Sequence, residues 1–392
     1  MSQDKRRDRI EQEFVGRYGS QPTLLARAPG RVDLMGSHTD YNEGFVLTMT
    51  IDREVWIAAR PRPDRKVRIG SLNIAGSGAF GLDDIQRDSV VPWTNYVRGV
   101  AHVAGGQGLP LVGFDGLIHS TVPVASGVSS SAALEVATAM VFQRLGQWSI
   151  TPVELALLCQ KAENQFVGMN CGILDQYSST MGQADCAILL DCRHLTHEAT
   201  PLDPDIGVVI SDTRAKRELT GSEYPERRAQ CEEGARILRR FTPTVRTLRD
   251  MTLAQFEAHA DALPETVRRR CRFVIEENQR VLDMSQAVRQ DRERISALCA
   301  ASYAGARDLY EIVSREMEAM MAAMLSGPGI VGARQAGAGF GGCMVACVRR
   351  EAIPAFVEHV AQGYASATGI TPDVYPVRPV AGAGLLTIEG TP

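Results

Sequence analysis

Hydrophobic and polar positions alternate along the chain in two different rhythms. Residues 8–18 carry Ile10, Phe14 and Val15 on one side of a helical wheel, which predicts a short amphipathic helix. Residues 24–42 read as a strand, a turn and a polar loop. Residues 44–51 and 54–60 read as paired strands, with Val55, Ile57 and Ala59 alternating with their neighbours. Residues 67–72 form another short strand, followed by a glycine-rich turn at 76–81. A helical pattern covers 95–104, and a strand at 113–120 runs into a serine-rich loop and a helix with Leu134, Val136, Ala137 and Met140 toward a core. Thr151-Pro152 caps a long helix bearing Leu155, Leu158, Ala162 and Phe166. Residues 187–191 and 207–211 are strand-like, 223–239 is a charged helix, and 263–325 is largely helical. Strands at 331–335 and 344–348 flank a glycine-rich turn, and a helix at 353–365 and a strand at 374–379 close the chain. Strands come early and helices in the middle, without regular β-α-β alternation. That order predicts an α+β fold rather than a doubly wound sheet.

The chain has 392 residues, too many for one ordinary core, so two domains are expected, 1–195 and 196–392. A net charge of −4 gives no reason to expect nucleic acid or a membrane surface as partner, and an anionic substrate would need a local basic site. The nine cysteines are scattered without a CxxC pair, which speaks against zinc or a disulfide framework and for reduced thiols in a cytoplasmic protein. No run reaches the length of a bilayer span.

The stretch 123–140, Pro-Val-Ala-Ser-Gly-Val-Ser-Ser-Ser-Ala-Ala-Leu-Glu-Val-Ala-Thr-Ala-Met, has the makings of an anion site. A Gly/Ser loop entering a helix offers backbone N–H groups without intrahelical partners, at the positive end of the helix dipole. Gly127 permits close backbone approach, and Ser129, Ser130 and Ser131 can donate to phosphate oxygens or reach Mg²⁺. An ordinary serine-capped helix is the plainer alternative. The loop is neither a Gly-Lys-Ser/Thr nucleotide loop nor a Gly-x-Gly-x-x-Gly fingerprint.

Three separated segments extend this reading: Gly30-Arg31-Val32-Asp33-Leu34-Met35-Gly36-Ser37-His38-Thr39-Asp40-Tyr41, Gly127-Val128-Ser129-Ser130-Ser131-Ala132-Ala133 and Gly337-Ala338-Gly339-Phe340-Gly341-Gly342-Cys343. Together they resemble the three motifs of the GHMP small-molecule kinases. The first resembles the galactokinase signature, as do Cys171-Gly172-Ile173-Leu174-Asp175-Gln176-Tyr177 and Ser222-Glu223-Tyr224-Pro225-Glu226-Arg227-Arg228. The resemblance implies a two-domain α+β fold with the active site in the cleft between domains. It also implies use of ATP with Mg²⁺ and phosphorylation of the anomeric C1 hydroxyl of galactose or a galacto-configured sugar, by a monomer or weak oligomer.

The same resemblance assigns roles. Asp175 takes or orients the hydroxyl proton, and Arg31 keeps that carboxylate ionised and offsets charge on the phosphoryl group. Glu163 and Ser131 hold Mg²⁺. Asp40, Tyr224, His38 and Gly172 face the sugar, while Gly127, Ser129, Ser130 and Gly339 lie by the phosphates. Gly339 belongs to a turn that serves either the phosphates or close packing of two elements.

One departure bears on substrate. Ser37 stands where galactokinases carry a glutamate that binds the sugar C6 hydroxyl. Loss of a buried partner costs about 1–3 kcal/mol, and a C6 carboxylate would no longer meet a like charge. Galacturonate or L-arabinose is therefore an alternative substrate, and serine donation to O6, direct or through water, is another way to keep galactose. A non-catalytic sugar-sensing regulator is the alternative of another class, against which the retained Arg31, Glu163, Ser131 and Asp175 argue. Phe273 replaces a common histidine without an assignable role, and Asp33 replaces an asparagine while keeping hydrogen-bonding capacity.

Overall fold

The computed structural model describes residues 3–124, 126–215 and 223–387. Ala125 of the serine-rich loop and Ser222 of the Ser-Glu-Tyr-Pro segment lie outside them. Strands β1 (Leu24–Met35), β2 (Phe45–Pro61), β3 (Lys66–Ser71), β4 (Ser77–Gly81), β5 (Phe114–Ser120), β6 (Cys186–Asp191) and β7 (Thr196–Pro201) belong to one sheet. Strands β8 (Ile206–Asp212), β9 (Ile330–Gln335), β10 (Cys343–Arg349) and β11 (Asp373–Val377) form a second, in the order β11-β8-β10-β9. The last strand, β12 (Gly384–Leu386), returns to the first sheet and pairs with β1. The helices are α1 (Gln3–Tyr18), α2 (Thr94–Gly106), α3 (Ser130–Gly146), α4 (Pro152–Lys161), α5 (Leu174–Met181), α6 (Glu223–Leu238), α7 (Leu253–Glu257), α8 (Glu265–Ala287), α9 (Arg292–Asp308), α10 (Arg315–Leu325) and α11 (Ile353–Thr368). The architecture is α+β, as the element order predicts.

Two local expectations are corrected. Residues 44–60 are not two paired strands but the single long strand β2. Its first part pairs with β6 and its last part with β5, while β1 runs along the other side. The polar pair Asp52-Arg53 interrupts the apolar pattern, but the backbone stays extended through it. Strand β1 runs through Pro29-Gly30 with a register shift against β2 between Pro29 and Arg31, and the chain turns after it, at residues 37–39. The glycine-rich segment 76–81 contains strand β4, which pairs with β3 in register Val67↔Phe80.

These features place the site. Gly30 is needed because a Cβ there would lie 2.7 Å from the Val128 carbonyl, so the serine-rich loop packs directly on β1. Helix α3 packs on β1, β2 and α2, and buries Ala132, Ala133, Val136 and Ala137. One apolar core joins this sheet to α8 through Val281 and Met284, and to the second sheet through Val208, Ile210 and Val345. A separate cluster under α10 and α11, including Met317, Met320, Phe356 and Tyr364, backs the second sheet. Residue 195 lies in the turn between β6 and β7, which pair with each other in the first sheet.

Candidate active site

The loop between β5 and α3 turns through two residues in the left-handed region, Gly127 at φ 90° and Ser129 at φ 60°. Ser129 occupies the N-cap position of α3 without using its hydroxyl as a cap. That hydroxyl is buried and has no hydrogen-bond partner among the described residues. A buried, unpaired donor is costly unless something else meets it, and an anion at the helix N-terminus would do so. The loop is tied to β1 by Arg31, whose backbone N–H donates to Val128 O (3.2 Å) and whose Nη1 donates to Gly127 O (2.9 Å).

Beside the first turn of α3 stands Glu163. Helix α4 opens with a full capping box between Thr151 and Glu154, then widens into a π turn, Ala162–Val167. Such widened turns re-aim side chains and are frequent at functional sites. Glu163 is buried and accepts from Ser131 and from Gln176 Nε2 (2.6 Å). Burial, then the negative charge of Asp175, pushes its carboxyl up to about 6. A hydroxyl and a carboxylate whose charge lacks a cationic partner form a donor set suited to a hard divalent cation. Among the described residues there is no cluster of three or more ligating His, Cys, Asp or Glu side chains. Mg²⁺ commonly takes one or two protein ligands and fills the rest of its shell with phosphate and water.

Asp175 lies in the first turn of α5, with its side chain a quarter exposed. Arg31 Nε donates to Asp175 Oδ1 at 2.8 Å, and Nη2 reaches the same oxygen. Burial works to lower the Arg31 pKa, but Asp175 and Asp33 outweigh it and raise it, so the guanidinium stays charged. One arginine therefore touches both the serine-rich loop and Asp175.

Asp40 opens a short 3₁₀ turn, Asp40–Asn42, and packs on Gly172, which leaves room for its carboxylate. Burial, then Asp175, pushes Asp40 up to about 6. Tyr224, in the first turn of α6, lies with its ring centroid 5.5 Å from that of His38 and 5.4 Å from that of Tyr41. Burial, then the charge of Asp40, raises its hydroxyl pKa.

His38 adopts φ 65° and is held at both nitrogens, by Tyr41 Oη at 2.8 Å and Ala338 O at 3.0 Å. Ala338 O can only accept, so Nε2 carries the proton and Nδ1 accepts from Tyr41. The order continues back through Tyr310, whose hydroxyl is 2.7 Å from that of Tyr41, to Cys231 at 3.2 Å from Tyr310. Burial pushes His38 down to about 4, so it is neutral at pH 7. Both ring nitrogens are thus engaged within the protein, linking the first glycine motif to the third.

Two further residues expected at the ligand have close partners within the protein. Ser37, 3% exposed, donates to Asp33 Oδ2 (3.1 Å) and accepts from Arg334 Nη2 (2.8 Å), in a buried ionic cluster completed by Glu277. Gly339 packs on Ile312, whose carbonyl would lie 2.7 Å from a Cβ there, which is the packing role of the glycine turn. Phe273, unassigned from sequence, is a core residue whose ring lies 4.6 Å from that of Tyr310. Asp33 proves to be a bridge, accepting from Gly337 N–H at 2.7 Å and from Arg334.

Sequence reasoning passed over Glu135 and Gln176. Both are fully buried and hydrogen-bonded to each other at 3.0 Å. The signal was a glutamate inside the apolar run Ala-Ala-Leu-Glu-Val-Ala, a residue type almost never fully buried without a partner.

Comparison with known proteins agrees with this geometry. Residues 12–61 match the galactokinase galactose-binding signature, and residues 95–183 match the GHMP kinases N terminal domain. A galactokinase of Roseiflexus sp. (strain RS-1) is 42% identical over 384 residues, 98% of each chain. That of Chloroflexus aggregans is 43% identical over 373 residues, 95% of each. The Lactococcus lactis galactokinase, crystallised with galactose, superposes with a TM-score of 0.92 at 34% identity, over 97% of this chain and 99% of that one. The mevalonate kinase of Methanococcus jannaschii shares the fold alone, with a TM-score of 0.65 at 15% identity over 93% of this chain and 99% of that one. The chain belongs to the galactokinase family of the GHMP kinases, phosphotransferases that use ATP.

Proposed function

We propose that this kinase transfers the γ-phosphoryl group of ATP to the C1 hydroxyl of galactose, giving galactose 1-phosphate and ADP. The observation that carries the proposal is the Arg31–Asp175 pair, which touches the phosphate loop through Gly127 and lies within the electrostatic reach of Asp40. In this reading Asp40, Tyr224 and Gly172 form the sugar end, and Gly127, Ser129, Ser130 and Ser131 the phosphate end. Asp175 accepts the proton of the C1 hydroxyl as its oxygen bonds to the γ-phosphorus and the bond to the β-phosphate oxygen breaks. Arg31 orients the Asp175 carboxylate and offsets charge on the transferring group. Ser131 and Glu163 would hold Mg²⁺, which when bound neutralises phosphate charge.

The Ser37 departure does not move the choice toward galacturonate or L-arabinose. Its hydroxyl is engaged by Asp33 and Arg334, and the relatives matched over nearly their whole length are galactokinases. The same relatives disfavour a non-catalytic regulator. The proposal keeps two lobes divided near residue 195, with β7 and β12 assigned to the first by their strand pairing. It also keeps a cytoplasmic location, in line with nine cysteines that are all free thiols. Among the described residues no helix is long and apolar enough to cross a membrane. ³¹P NMR of the product tests the chemistry: a sugar 1-phosphate is expected, and a phosphate at another carbon overturns the assignment.

A further inference from the structure

Glu163 has a second carboxylate next to it, deeper in the protein. Glu135 sits on α3 one turn beyond Ser131 and is fully buried, as is Gln176. One nitrogen, Gln176 Nε2, donates to both acids, at 2.6 Å to Glu163 Oε2 and 3.0 Å to Glu135 Oε2. Gln176 follows Asp175 on α5. A single side chain therefore joins the helix of the phosphate loop, the π turn that carries Glu163 and the helix that carries Asp175.

The arrangement is expensive for stability. Burying a carboxylate costs several kcal/mol even when it is hydrogen-bonded, and an apolar residue would suit the face of α3 at position 135. Glu135 Oε1 and Gln176 Oε1 have no hydrogen-bond partner among the described residues, so the group is not a fully satisfied structural network. The short contact of the pair toward the cleft is the bond to Glu163 Oε2 at 2.6 Å, beside a long one from Gln176 Nε2 to Cys171 Sγ at 3.9 Å.

We propose that Gln176 and Glu135 are positioning residues for the phosphoryl transfer: Gln176 fixes the Glu163 carboxylate against Ser131, and Glu135 anchors the Gln176 amide. The inference rests on Ser131 and Glu163 being the cation ligands. Partners that hold a ligating carboxylate in orientation affect metal affinity by about 10–100-fold.

The test is Mn²⁺ binding to the enzyme–ADP complex, read by electron paramagnetic resonance without turnover. Gln176→Leu and Gln176→Asn should each weaken Mn²⁺ binding about 10–100-fold, with metal-free ADP affinity unchanged. The asparagine variant keeps a buried amide but draws it back from Glu163, and serves where the leucine variant does not fold. The double variant Gln176→Leu/Glu135→Met removes the buried acid as well; its Mn²⁺ affinity should stay weak. Wild-type affinity in Gln176→Asn, or recovered affinity in the double variant, would mean that Gln176 only satisfies Glu135 and would overturn the proposal. Glu163→Gln is measured alongside: unchanged Mn²⁺ affinity there overturns the cation reading itself, and with it the role given to Gln176.

Discussion

A Cβ on Gly172 would lie 1.9 Å from Oδ2 of Asp40. The glycine is therefore a condition for the position of that carboxylate, and Gly172→Ala must push Asp40 aside. A displacement of about 1 Å in a substrate-positioning group costs on the order of 100-fold in rate. The expected outcome is a loss of that order in kcat/KM for sugar with the KM for ATP little changed. Steady-state kinetics with each substrate varied in turn checks it; equal effects on both substrates would place the disturbance elsewhere.

Asp40 also predicts a pH dependence. Burial, with Asp175 adding to it, raises its folded-state pKa to about 6, against about 3.9 for an unfolded chain. The folded protein then binds more protons between these values. The contribution of Asp40 to stability is fully present below about 4 and lost as pH rises through about 6. Asp40→Asn should stabilise the sugar-free protein relative to wild type above pH 6 and lose that advantage below pH 4, while abolishing sugar binding. Thermal unfolding across pH, without ligand, reads the first effect, and sugar titration reads the second. Wild-type affinity for sugar should weaken as pH falls through 6.

Ser37 is expected to matter for stability more than for the sugar. Ser37→Ala takes a donor from Asp33 and an acceptor from Arg334, both almost wholly buried. Leaving such groups short costs about 1–3 kcal/mol, read by denaturant unfolding, with the sugar KM close to wild type. A stable variant with a greatly raised KM would return Ser37 to the sugar pocket.

His38 is expected to be neutral throughout the physiological range, because burial holds it near 4. Its ¹⁵N shifts should report one tautomer, protonated at Nε2, from pH 5 to 8. A titration near 6.5 would contradict the ordered chain from Cys231 to Ala338.

What could be read from sequence follows the range of each interaction. The cap at Thr151-Pro152 and the serine-rich loop before α3 sit in compact stretches, whereas Arg31 and Asp175, 144 residues apart, are paired in advance only by the family resemblance. Strand β4 was hidden by its glycines, and the unity of β2 by the polar pair Asp52-Arg53, on either side of which β2 pairs with β1. The orientation of Ser37 depends on Arg334, 297 residues away, and the buried amide bridge joins Gln176 to Glu135, 41 residues away. No single stretch of sequence contains both partners of either contact, and the family resemblance assigns neither, which is why the support of the site was less legible than its reacting groups.

The central claim is that Asp175, held by Arg31, serves phosphorylation of galactose. The most direct measurement is ATP-dependent turnover on galactose, galacturonate, L-arabinose, N-acetylgalactosamine and glucose, by wild type and Asp175→Asn. Preference for galactose, with a fall of about 10²–10⁴ in kcat for the variant, is the expected result. Preference for galacturonate or arabinose, or an Asp175→Asn variant with wild-type turnover, would contradict the account.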